Sequence, residues 1–343
     1  MTDTKQISSA TVLKYVQIAF FTVVILYVGK TLFIPLFFGL LIAMIMYPIC
    51  KWLENHGVKK LFAITICLLI VTLLVAALIT LMMWQVKMFS KDAPAIIAKL
   101  QTVVSQLQTW IANTFKTDAG LNNEWGKDLS GSIAVFLTST IQNTASTLFM
   151  LFLTPVYTAL FMYHRKTFVQ FLHSITPEKY KQRLNAILQE IIHTYFNYIK
   201  GMLMVYLMVG ILNSIGLYAL GVKYAILFGM LCAIMTIIPY IGTFISASLP
   251  VSMVWMQTGN IWYPLGVIAM FSVVQYLEAN VIYPKAVGTQ LHVSTLAMLV
   301  AMIAGGVVWG IAGMVLFIPF VAILKIISDH IEEWKPLNLL LSR

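Results

Sequence analysis

The chain has 343 residues, of which 60% are hydrophobic and 10% charged, with a formal net charge of +10. Together with a mean hydropathy of +0.89, this composition excludes an ordinary soluble domain and predicts an all-α polytopic membrane protein. Short alternating segments of the outer-membrane barrel kind are not visible. The basic residues gather at the ends of apolar segments, which fits membrane topology and argues against nucleic-acid binding.

Residues 1–14 read as a short cytoplasmic tail with no small-residue cleavage site after the following apolar run, so a cleaved signal is not expected. Tyr15–Val28 and Leu32–Ile49 predict two spans joined by a turn near Gly29-Lys30, and Leu61–Trp84 a third, which together make a scaffold over 1–84. Residues 85–140 predict an extracytoplasmic segment. In it Ile96, Leu100, Val103, Val104, Leu107, Trp110 and Ile111 recur at helical spacing, as in a helix on the membrane, on a neighbouring subunit, or capping the bundle. Ile141–Tyr163 is the fourth span, kinked at Pro155. Residues 177–196 predict an amphipathic cytoplasmic interfacial helix whose apolar face is Tyr180, Leu184, Ile187, Leu188, Ile191, Ile192 and Tyr195; Ile199–Leu220 is the fifth span. Residues 141–222 thus form one predicted region, 223–327 a transport unit and 328–343 a cytoplasmic tail.

Fifteen of the 22 Lys and Arg residues fall on the side that this topology makes cytoplasmic, which places both termini there. Cys50, Cys67 and Cys232 have no CxxC spacing and are read as small core residues, with neither a disulfide framework nor a metal site. No phosphate loop, dinucleotide fingerprint, HExxH or nucleophile elbow is present, so no catalytic residue and no cofactor is expected.

The informative stretch lies between Lys223 and Lys325, where only Glu278 and Lys285 are charged. Tyr224–Leu277 and Ala286–Leu324 are each too long for one crossing, which takes about 20 residues. Each is broken by Gly and Pro, so each predicts a helical hairpin, with the span Ile261–Tyr283 between them. The architecture expected is six spans plus two broken hairpins, eight to ten membrane helices. The first hairpin turns at Pro239, Tyr240 and Gly242; the second carries Gly305, Gly306, Gly310 and Gly313, with Pro319 beyond. Glu278 is the only carboxylate inside a predicted span. Ser272, Gln275 and Glu278 share a helical stripe; Asn280 joins them if Pro284 unwinds the helix, making Gln275, Glu278 and Asn280 a candidate substrate or ion site. An ion pair with Lys285, seven residues on, is the structural alternative.

Ile238-Pro239-Tyr240-Ile241-Gly242, Pro250, the run Gln275–Lys285, Gly288, Leu291-His292, Gly305-Gly306, Gly310, Gly313 and Pro319 together resemble the autoinducer-2 exporter family of bacterial and archaeal inner-membrane proteins. Tyr198-Ile199-Lys200-Gly201 agrees as well, whereas Met202, Thr243 and Val293 depart from the family's usual residues. The resemblance implies a homo-oligomeric secondary transporter, a pentamer, coupled to H+ or Na+ and exporting a small metabolite such as autoinducer-2. Some members resemble sodium(lithium)/proton antiporters. A non-transporting scaffold, binding partners through residues 94–111 and 177–196, is the remaining alternative.

Overall fold

The computed structural model describes residues 9–81, 83–84, 87, 144–236, 241–287 and 293–342. The stripe expected over residues 96–111 therefore lies outside the described residues. So do Pro239, Tyr240 and His292.

The described chain is helical. α1 is Ser9–Val28, α2 Lys30–Asn55, α3 Lys60–Leu81, α4 Thr144–Tyr163, α5 Arg165–Ile175 and α6 Glu178–Ala219. There follow α7 (Ala225–Met235), α8 (Ile241–Thr258) and α9 (Trp262–Leu277), then a π-helical turn Glu278–Ile282 and α10 (Tyr283–Ala286). α11 (Thr295–Trp309), α12 (Ile311–His330), a 3-10 turn Glu332–Trp334 and α13 (Lys335–Leu341) complete the order. Five segments, α2, α3, α6, Trp262–Ala286 and α12, are long and apolar enough to cross a membrane; α7 and α11 are shorter apolar helices. The protein is an all-α, multi-pass membrane protein.

Two local features differ from expectation. The turn near Gly29-Lys30 is a single residue through which helical hydrogen bonding persists: Gly29 N donates to Ile25 O and Phe33 N to Gly29 O, both at 2.9 Å. The expected interfacial helix over 177–196 and the fifth span are one uninterrupted helix of 42 residues, about twice what a 30 Å core needs. Gly201, near the start of the expected fifth span, is a packing notch: a Cβ there would overlap the Ala286 carbonyl. The apolar stripe of the first half is covered by protein, because Ile187 and Ile191 pack with Ile326, Ile323 and Met44.

The chain forms two compact units. One comprises Met1–Leu68, Leu148–Phe196 and Leu291–Arg343, and the other Leu69–Thr147 and Asn197–Gln290. The two hairpins thus belong to different units, whereas the sequence groups both within 223–327. The grouping by sequence follows the shared lack of charge; the units follow packing between segments far apart in the chain.

In the first unit α11 and α12 form an antiparallel hairpin turning at Gly310, whose φ of 62° and ψ of −141° favour glycine. Gly305 and Gly313 face each other so closely that a Cβ on either would run into the other's backbone. Trp309 is buried beside the turn, donates its indole N–H to Leu26 O at 2.9 Å, and packs on Phe37. At the opposite end Arg165 pairs with Glu54, and Lys60 Nζ donates to Tyr163 O at 2.5 Å.

The last residues are bound back rather than trailing as a tail. Val293 and Ser342 form a β-bridge, Ser294 N donates to Leu341 O at 2.7 Å, and Ser294 Oγ donates to Leu340 O at 3.1 Å. Glu333 accepts from Tyr180 and, at 3.1 Å, from Lys179. The Tyr180 hydroxyl, a backbone N–H and Lys179 hold the Glu333 carboxyl down to about 2. A depressed folded-state value stabilises above the unfolded pKa, about 4.3, and that contribution is lost as pH falls towards 2. Because both partners are exposed the effect is small. Protection from hydrogen exchange at residues 331–341, relative to the intrinsic rate at each pH, is expected to be slightly lower below pH 4 than at pH 5 and 7, and slightly lower at pH 5 and 7 in Glu333→Gln than in wild type.

Candidate functional site

The second unit packs α7, α8 and α9 along the second half of α6, and glycine contacts fix the register. Gly201 meets Ala286 and Gly216 meets Met270, so α6 and the helix through α9 and α10 run antiparallel along their length. That register puts Glu278 level with Met208 and Val209. On the neighbouring side Ser214 meets Gly229 and Gly210 meets Ala233, so α7 also runs antiparallel to α6, and its end at Met235 comes level with Met208. The end of α7 and Glu278 therefore lie at one level along α6.

α7 has 11 residues, or about 16 Å at 1.5 Å per residue, roughly half the 30 Å apolar core. The hairpin pairs this short arm with α8, which has 18 residues, or about 27 Å. Its arms close tightly where Gly242, buried, sits against Met235, since a Cβ at Gly242 would overlap the Met235 carbonyl. Thr236 Oγ1 donates to Cys232 O at 2.9 Å, satisfying a carbonyl at the end of α7.

Glu278 is 7% exposed and is the only acidic residue fully buried among the described residues. No cation pairs with it there, and Lys285 is exposed, so the ion-pair alternative is not what the structure contains. On α9 it continues the buried face of Val267 and Val274. Pro284 has no N–H, and its ring would crowd the Asn280 carbonyl in an α-helix. The backbone answers by widening: Tyr283 N donates to Glu278 O, five residues back, so the carboxylate starts a π-helical turn. Such turns are rare and frequent at functional sites.

The other two expected ligands do not join it. Gln275 and Asn280 are exposed, and Asn280 Nδ2 donates to Tyr276 O of its own helix at 3.0 Å. Ser272 likewise donates to Ile268 O at 2.8 Å. The stripe read by spacing splits because this helix buries the face of Val267, Val274 and Glu278, whose centre is about 80° away from Gln275 at 3.6 residues per turn. What does lie near Glu278 is Tyr206 of α6, within electrostatic range of both Glu278 and Tyr283. Nothing in sequence spacing singles it out; only the α6 register does. Above this level an apolar cluster, including Leu217, Phe228, Met253, Val254 and Val267, seals the space between the helices. Of the remaining gating residues, Gly305, Gly310 and Gly313 shape the other hairpin in the first unit, with Pro319 buried in α12. Gly306 opposes only the end of Met314. Among the described residues no group of three or more His, Cys, Asp or Glu side chains could hold a metal ion.

A multi-pass helical protein with a buried carboxylate inside an apolar helical segment, level with the end of a short apolar helix, fits the class of membrane transporters. The model of the AI-2E family of transporters matches residues 16–333, and the chain belongs to that family. It is 26% identical to YrrI of Bacillus subtilis over 324 residues, covering 88% of this chain and 87% of the relative. Identity to YueF of the same organism is 28% over 313 residues, covering 84% and 82%. The AI-2 transport protein TqsA of Escherichia coli is 23% identical over 319 residues, covering 90% and 89%.

Proposed function

We propose that this protein is a secondary transporter that exports a small polar metabolite or signal across the inner membrane, driven by a sodium or proton gradient. Both termini face the cytoplasm, and the working form is a homo-oligomer, a pentamer by family resemblance. Autoinducer-2 is the first candidate substrate, because one relative carries that compound in its name. The observation that carries the reading is Glu278, buried with no cation paired to it among the described residues and level with the end of α7. A carboxylate in that setting attracts a cation or accepts a proton. The hairpin, closed by the Gly242–Met235 contact, would separate it from one side. The basic-residue bias supports the orientation.

Purified protein in proteoliposomes provides the test. Imposed sodium and pH gradients are expected to drive autoinducer-2 or a related small polyol uphill, and reversing the gradient should reverse the flux. Transport that ignored both gradients would exclude secondary coupling.

A further inference from the structure

Asn213 of α6 is 3% exposed, and its Oδ1 has no hydrogen-bond partner among the described residues. A buried amide oxygen left unpaired is costly in an apolar setting, so its persistence calls for an explanation. Asn213 lies seven residues from Tyr206, within about 20° of two full turns, so the two occupy one face of α6. That face lies between the contacts α6 makes with α7, at Gly210 and Ser214, and with α9, at Gly216. By the same register Asn213 is level with Val274, one turn from Glu278 on the buried face of α9. The separation along the axis is about 7 Å. The apolar cluster around Leu217 and Val267 begins one turn further on.

Both buried groups offer oxygen acceptors: an amide carbonyl with lone pairs to fill and, when ionised, a carboxylate. Two acceptors cannot satisfy each other. While Glu278 is ionised, a positive ion between them satisfies both, and oxygen-only ligation suits a hard monovalent metal ion. We propose that Asn213 Oδ1 and the Glu278 carboxylate are joint ligands of a monovalent metal cation, held beneath the apolar cluster and level with the end of α7. The proposal rests on the gradient-driven reading and deepens it: the coupling species is a sodium-like ion, and Asn213 is its neutral ligand.

The test uses the full-length purified protein and thermal unfolding in sodium, lithium or choline chloride at equal ionic strength. The wild-type midpoint is expected to rise with sodium or lithium over choline. Asn213→Leu removes the orphaned oxygen, so its midpoint in choline should match or exceed wild type. Its half-saturating sodium concentration should rise by about tenfold or more, as for loss of one good ligand. Should that variant fail to fold, Asn213→Asp keeps an oxygen and adds charge, and its half-saturating concentration should fall below wild type. A wild-type midpoint indifferent to sodium and lithium, an unchanged sodium response in Asn213→Leu, or an Asn213→Asp variant that binds sodium no better, would each overturn the proposal. The two readings separate cleanly: gradient-driven flux with an unaltered sodium response in Asn213→Leu rejects only the ligand assignment. Sodium binding without gradient-driven flux rejects the transport reading.

Discussion

Glu278→Gln is expected to reduce gradient-driven flux by about a hundredfold or more while leaving the protein folded. A carboxylate attracts a cation at 4 Å by about 4 kcal/mol at an effective dielectric of 20. Part of that is offset by stripping water from the ion, and each 1.4 kcal/mol retained is worth a factor of ten. Glutamine keeps the shape and acceptor oxygen but not the charge, so the loss falls on ion attraction rather than packing. Folding should not suffer. An unpaired charge deep in a span costs about 2.5–3.5 kcal/mol on insertion scales, and the substitution relieves it. Purified variant and wild type would be compared for thermal midpoint and for flux in proteoliposomes. A variant with wild-type flux would return Glu278 to a structural role.

Gly242→Ala is expected to cost several kcal/mol and to abolish transport even where some protein folds. The added methyl would collide with the Met235 carbonyl, which is backbone at the end of α7, not a side chain that can turn away. Overpacking alone typically costs about 1–3 kcal/mol, and here relief requires the two hairpin arms to part at the depth of Glu278. Gly306→Ala is the matched control: its methyl would meet the terminal methyl of Met314 at 2.7 Å, and a flexible thioether can move. Membrane yield and thermal midpoint should fall sharply for Gly242→Ala and remain near wild type for Gly306→Ala. Equal effects would mean that the hairpin closure is not tight.

Much of this was legible in the residues. The uncharged blocks broken by Gly and Pro do fold as hairpins, and the lone intramembrane acid is the buried one, because charge cost and backbone geometry are properties of short stretches. Depth and facing were less legible. Gln275 and Asn280 share the right spacing with Glu278, yet spacing does not say which face a helix buries; α9 packs through Val267 and Val274. Pro284 announces a disturbed helix, but that the disturbance takes the form of a π turn starting at the carboxylate depends on its surroundings. Gly201 is a close contact with Ala286, which sequence alone does not reveal, since glycine serves breaks and close approach alike. Tyr206 and Asn213 are single polar residues in an apolar run, and only the register of α6 against its neighbours brings them to the site. The division into two units was hidden for the same reason.

The shortness of α7 has an electrical consequence. Glu278 is level with the end of α7, about 16 Å from that helix's start, so an ion that reaches it has crossed about half of the transmembrane field. A full crossing by one elementary charge is worth about 2.3 kcal/mol per 100 mV. Occupancy of the site should therefore respond to membrane voltage with about half that sensitivity, so the potential itself, apart from any concentration gradient, would help to load or empty it.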